Sequence, residues 1–405
     1  MRRVFHTIQG SPMFRNFSLA TTLSTAALLS ALPAQAANHN ETMADNTMTV
    51  TGSDGVELSA TALETFEEPW AMTFLPDGHS LVTEKAGGIF VLNADGKKIG
   101  EVSDAPVVTA RGQGGMGDII AHPDFAENGV VFLSYVERDP EDDAYSGAVV
   151  EKATLTVTAE GGALEDREII WRQSPKMTGN GHYGHRLAIA PDGNLIISSS
   201  DRQHFTPAQN MASNMGKIIR VTTDGEPLED NPFYGQGGVS DTIWTLGHRN
   251  ILGVAFDGEG RLWAQEMGPR HGDELNLVKR GENYGYPFVS EGDHYDGTEI
   301  PDHSEMPIFS APKKAWVPAI SPAGLMVYDG ELFADWNGDI FIGGLSSKAL
   351  IRVEVDGEDA EEAARYEWDR RIREVEQGPD GAIYVLEDTR DGAPGGRLIK
   401  LAPMN

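Results

Sequence analysis

Cysteine is absent from all 405 residues, which excludes a disulfide framework and leaves core packing, with any metals, to hold an exported chain together. Basic residues are also few: 32 Lys and Arg stand against 62 Asp and Glu, for a net charge of −30. Such a field repels phosphate backbones and anionic lipid, so nucleic acid and acidic membrane surfaces are excluded as partners. It suits a soluble protein that meets calcium or high salt outside the cytoplasm, although solubility alone gives the same composition. Long apolar runs are missing after residue 32, so no later segment reads as a membrane span. Helix signals are nearly missing as well; only residues 360–366 read as a short helix.

The one apolar run belongs to an export signal. Arg2, Arg3 and Arg15 give a positive start, residues 17–32 are rich in Ala, Leu and Ser, and Ala34-Gln35-Ala36 offers a cleavage site. Arg2-Arg3 resembles a twin-arginine signal, but the apolar run begins only at Phe17, which favours the general secretory route. Cleavage after residue 36 removes those three arginines and no acid, taking the charge from −30 to −33. Residues 37–49 are polar and aperiodic and read as a disordered lead-in. Residues 50–405 contain no linker and read as one domain of a periplasmic or secreted protein, monomer or homodimer.

What the chain has in quantity is short β-rich runs between Gly, Asp and Pro turns, among them AMTFLP, GIFVLN, VVFLSYVE, NLIISSS, KIIRVT, DIFIGG and AIYVLE. This pattern indicates an all-β protein. One phrase recurs: a strand, a Pro-Asp-Gly turn and a second strand. It stands at Pro76-Asp77-Gly78, Pro191-Asp192-Gly193 and Pro379-Asp380-Gly381, with variants at Pro123-Asp124-Phe125, Asp257-Gly258 and Trp336-Asn337-Gly338. Units of roughly sixty residues, each built of short strands, point to a propeller. The expectation is a six-bladed β-propeller of four-stranded antiparallel blades, with an N-terminal segment and the C-terminal RLIKLA strand completing one blade.

In a propeller the loops at one end of the blades converge, so the residues ahead of each turn phrase are the candidates for a site. Arg111 and Gln113 stand in a glycine-rich loop, His182, His185 and Arg186 in TGNGHYGHR, and His248, Arg249 and Asn250 in LGHRN. His182, flanked by Gly179, Gly181 and Gly184, is suited to act as a general base because its ordinary pKa lies near neutrality; a structural histidine is the alternative. Asp201 could orient a partner. Arg371 and Arg373 alternate and so share a strand face. Their mutual repulsion calls for a polyanionic ligand or for carboxylates such as Glu374 or Glu376. Asp273-Glu274 among glycines suits either calcium or a solvated acidic turn.

Taken in order, EPWAMTFLPDG, GQGGMGDIIAHPDF, HYGHRLAIAPDG, NMGKIIRVTTDG, GHRNILGV, GPRHGDELNLVKRGENYGYP, RIREVEQGPDG and GGRLIKL resemble the soluble quinoprotein sugar dehydrogenases over residues 68–401. GHRN with GDELNL and NYG is the specific part. The resemblance implies a six-bladed propeller enzyme that uses pyrroloquinoline quinone (PQQ) and calcium to oxidise aldoses to aldonolactones, with electrons leaving to an external acceptor. It implies His182 as the base and Gln113 as a residue near substrate and cofactor. Arg249, Asn250, Arg371 and Arg373 would contact PQQ, with Tyr295 a further contact. Gly268 and Pro269 would bind one calcium through their carbonyls, and Glu274 and Tyr284 would bind a second. Three positions depart from the pattern: Ser346 where a lysine is expected, with Lys348 two residues on, Ala319 for a threonine, and Met267 for a polar residue. The competing readings are a calcium-dependent propeller hydrolase of lactonase type and a propeller that only binds a ligand.

Overall fold

The computed structural model describes residues 46–390 and 395–404, and these residues belong to one unit, Asp45–Asn405. The expected leader, 1–36, and the lead-in as far as residue 45 lie outside the described residues. Thr47–Thr51 is a strand paired with Glu57–Phe66, so the lead-in is shorter than expected: Val50 is buried there, and residues 47–49 join the sheet edge.

The chain is nearly all β. Among the described residues the only α-helix is the single turn Phe125–Asn128, which the Pro123-Asp124-Phe125 variant opens and Gly129 ends at φ 64°. Residues 360–366, expected to be helical, lie in the strand Asp359–Glu367, antiparallel to Ala349–Asp356. The run AEEAAR has helix propensity, but pairing along the whole strand and burial of Ala364 and Tyr366 on one face prevail.

The turn phrase works as its chemistry dictates. Asp77, Asp192 and Asp380 each accept a hydrogen bond at Oδ1 from the amide two residues on, at 3.0–3.1 Å. Gly78, Gly193 and Gly381 take φ of 91°, 83° and 76°, a region that only glycine enters without strain.

Three sheets have four strands each. A larger one joins two such groups where Lys98–Ser103 runs parallel to Gly161–Arg172. In the last, Glu57–Phe66 pairs with Gly396–Pro403, so the two ends of the chain close one sheet, as the sequence suggested. The first strands of the groups are Pro69–Phe74, Met116–Ala121, Gly184–Ile189, Ile251–Phe256, Pro322–Val327 and Arg371–Gln377, and they touch in a closed cycle. Every one of them has a register shift near its start. A bulge re-aims side chains, and Trp70, His185, Leu252 and Arg373, all at these shifts, line one cavity. Apolar clusters fill the space between neighbouring sheets; Trp263, Leu275, Trp316, Leu325, Ile342 and Ile351 form one of them.

Candidate functional site

His182 sits at φ 47° at the tip of its glycine loop, and its backbone N–H donates to Gln113 Oε1 at 2.7 Å. His182 Nδ1 lies 2.7 Å from Asp201 Oδ1, a carboxylate that also accepts from the Gln203 N–H at 2.8 Å. Because a carboxylate only accepts, the imidazole proton belongs on Nδ1 and the lone pair on Nε2. Beneath the loop, Arg202 is buried against the Tyr183 ring at 3.8 Å. It donates to the carbonyls of Gly181, Ser146 and Gly179 at 3.0, 2.6 and 2.7 Å. Burial pulls the His182 pKa below its ordinary value, and Arg249 and Arg202 add to this against the pull of Asp201. The ring is therefore neutral near pH 7, the form a base requires.

A cavity of about 190 Å³ lies alongside, lined among others by Trp70, Gln113, His185, Asn250, Met267 and Leu345. Its cations are Lys85, Arg371, Arg373 and Arg390, with Asp388 between them. Arg371 Nε meets Asp388 Oδ1 at 3.0 Å, and Arg373 Nε meets Oδ2 at 3.0 Å. Burial would raise the Asp388 pKa, but Arg373 and Arg371 hold it well below the usual carboxylate range. The carboxylate partner of the two arginines is thus Asp388, not Glu374 or Glu376. Glu374 pairs instead with the buried Arg186, which also reaches Asp118 at 3.5 Å. Glu68 also lines the cavity, 3.8 Å from Lys85, so four cations face two carboxylates and the cavity stays electropositive inside an acidic protein. Ser346 stands where a lysine was expected, and its Oγ turns to the Ala319 carbonyl at 3.3 Å; Lys85 and Arg390 are the lining cations besides the arginine pair.

Arg249 donates from Nη1 to the carbonyls of Met267 and Gly268 at 2.8 and 2.6 Å. Its guanidinium lies 5.9 Å from the Tyr286 ring and 5.8 Å from the Tyr295 ring, and Tyr295 is 73% exposed. Among the described residues, Arg249 Nε and Asn250 Oδ1 are buried without a hydrogen-bond partner. Unpaired polar atoms of this kind are costly unless a ligand meets them.

The Asp273-Glu274 pair splits by strand alternation. Asp273 is structural: Oδ1 accepts from the Gly268 N–H at 2.9 Å, and Oδ2 from the N–H groups of Ile320 and Ser321 at 2.8 and 2.7 Å. Glu274 points the other way, directly opposite Glu266 in the ladder. Asn276 Nδ2 bridges the two carboxylates at 3.2 and 3.3 Å, and Asn276 Oδ1 is buried and unpartnered. Burial, then Glu266, pushes the Glu274 pKa up to about 8. A void of about 10 Å³ is bounded by Gly247, Glu266, Gly268, Glu274 and Tyr284. The Tyr284 hydroxyl donates to the Leu277 carbonyl at 2.6 Å, and the Tyr284 carbonyl meets His303 Nε2 at 3.1 Å.

These features fit the groups that the sequence implies. Two facing carboxylates with an orphaned amide oxygen suit a hard cation that takes oxygen ligands. The described residues hold no cluster of three His, Cys, Asp or Glu arranged for a metal, so amide and carbonyl oxygens would complete any such set. At Gly268 the Arg249 guanidinium already holds the carbonyl, so a calcium there requires that side chain to turn away. Buried Pro269 follows directly. The residues that sequence reading did not pick out are Asp388, Glu266, Asn276, Arg202, Lys85 and Arg390. Strand pairing would have exposed two of them, since Arg371 faces Asp388 and Glu274 faces Glu266.

β-Sheets whose first strands touch in a closed cycle, with a cation-lined cavity and a buried His–Asp pair on the adjoining loops, define a β-propeller with an enzyme-like site. The family model for glucose/sorbosone dehydrogenases matches residues 66–400, and the chain belongs to that family. It is 35% identical over 350 residues to the aldose sugar dehydrogenase YliI of Escherichia coli, covering 84% of this chain and 91% of that one. The apo-form structure of the soluble aldose sugar dehydrogenase of Escherichia coli superposes with a TM-score of 0.79 at 34% identity, covering 86% of this chain and all of the other. The PQQ-bound aldose sugar dehydrogenase of Streptomyces coelicolor superposes at 0.68 with 28% identity, over 85% of this chain and 98% of that one.

Proposed function

We propose that the chain is an exported, PQQ- and calcium-dependent aldose dehydrogenase on a six-bladed propeller. The closed cycle of six first strands supports the blade count. The observation that carries the chemistry is the His182–Asp201 pair near a cavity with four lining cations and the orphaned Asn250 amide oxygen, with the orphaned Arg249 Nε on the adjoining residue. PQQ, when bound, would supply the acceptor for the hydride of the sugar. Arg371, Arg373, Lys85 and Arg390 would meet its carboxylates, with Arg249 and Asn250 at its ring oxygens and Tyr295 at the rim. Gly268 and Pro269 would offer carbonyls to one calcium. Glu274 and the Tyr284 carbonyl, with Glu266 and Asn276, would hold another.

His182 Nε2 then takes the proton of the anomeric hydroxyl, while Asp201 fixes the ring and balances the imidazolium. Gln113 anchors the His182 backbone. The electrons would leave to an external acceptor. A lactonase reading needs free carboxylates around the central cation; Asp388 is already matched by two arginines, which favours the dehydrogenase.

The pH profile of turnover by the PQQ- and calcium-loaded chain tests this proton chemistry. Only neutral His182 can accept a proton, and its pKa is depressed, so activity should persist as pH falls through 6.5 and be lost only at lower pH, as the ring takes its proton. An acid limb centred above 6.5 would contradict the assignment of the base.

A further inference from the structure

The loop that carries Asp201 continues into an unfavourable conformation. Phe205 has φ 51° and ψ −72°, and the Thr206 N–H donates to the His204 carbonyl at 2.6 Å across it. This is a γ-turn of the rare positive-φ form, strained for any residue with a β-carbon. Burial of the ring does not offset that strain, because Phe205 is 46% exposed. The surroundings hold the turn in place. Lys217, fully buried, donates from Nζ to the carbonyls of Pro207, Ala208 and Met215 at 2.7, 3.0 and 2.8 Å. Gln209 and Asn283 exchange side-chain hydrogen bonds at 2.9 and 2.7 Å, tying this loop to the one that carries Tyr284.

The Phe205 ring so erected stands edge-on to His294 at 5.5 Å and lies 6.2 Å from Tyr286. Tyr286 and Tyr295 in turn flank Arg249. A half-exposed aromatic ring therefore stands one ring away from Arg249, through Tyr286, on the same loop as Asp201, the partner of His182. Strain that persists at an exposed position beside a site points to a role in binding rather than in folding.

We propose that Phe205 is a stacking platform for the apolar C–H face of a pyranose substrate; this rests on the aldose dehydrogenase reading. An aromatic face reads the shape of the sugar ring and not its hydroxyl pattern, so it fixes the pyranose without selecting one epimer. His182, Gln113 and Arg249 are left for the hydroxyls at the reacting end.

The test compares Phe205→Gly and Phe205→Trp with the wild type, each loaded with calcium and reduced PQQ, which has no place for a further hydride, by glucose calorimetry and thermal unfolding. Glycine relieves the strained φ, so Phe205→Gly should unfold about 2 °C higher. It should also bind glucose about tenfold more weakly, the upper range for an aromatic contact. Phe205→Trp should keep the wild-type affinity. Stability and affinity moving in opposite directions is a result that a merely structural ring cannot give. Equal glucose affinity in Phe205→Gly, or a fall in both quantities, overturns the proposal. Calorimetry does not need turnover. A wild type that binds glucose without PQQ-dependent turnover would therefore defeat the dehydrogenase reading alone, whereas a wild type that binds no glucose overturns both.

Discussion

His182→Ala is expected to lower turnover of the PQQ- and calcium-loaded chain about a thousandfold, within the usual range for losing a general base, while PQQ still binds. The expectation follows from geometry. His182 Nδ1 is taken by Asp201 at 2.7 Å, which directs Nε2 away from the carboxylate as the acceptor. The cavity cations belong to other loops and stay in place. Asp201→Asn should give a comparable loss, because an amide donating to Nδ1 leaves the ring proton on Nε2, the wrong tautomer for a base. Stopped-flow reduction of bound PQQ by glucose separates this step from release of electrons to an acceptor. Unchanged reduction in His182→Ala would remove His182 from the chemistry.

The second large effect is one of stability. Asp388→Ala should destabilise the PQQ-free chain by about 3–5 kcal/mol, the usual cost of removing one partner from a buried ion pair. Arg371 and Arg373 would then lack their shared carboxylate, in a cavity that already holds Lys85 and Arg390. PQQ carries three carboxylates, so it should recover much of this loss, and the variant should gain more stability from PQQ than the wild type does. Urea unfolding with and without PQQ reads the difference. An equal gain in both proteins would mean that these arginines do not face the cofactor.

The fold was largely legible because its signals are local. Pro-Asp-Gly turns with Asx hydrogen bonds and positive-φ glycines mark the hairpins one by one, and the pairing of the chain ends follows from their complementary strand patterns. The error at 360–366 has the converse cause: AEEAAR carries helix propensity, while the partner strand Ala349–Asp356 that overrides it is visible only in three dimensions. In the site, His182, Arg249 and Asn250 could be singled out because glycines and loop position flag them. Asp388 and Glu266 could not. Each sits in an ordinary strand, and its role exists only through register against Arg371 or Glu274. The cost of the Phe205 turn likewise has no trace in composition, since positive φ at an aromatic residue is imposed by Lys217, Gln209 and Asn283 from outside the turn.

The central claim is that these residues form a PQQ- and calcium-dependent sugar oxidation site, and one measurement addresses it directly. Purified protein, stripped with chelator and then given PQQ and calcium, is offered glucose and other aldoses with a redox dye. Dye reduction that requires PQQ, calcium and sugar together is the predicted result. No reduction, with no PQQ-dependent change in absorbance, would contradict it.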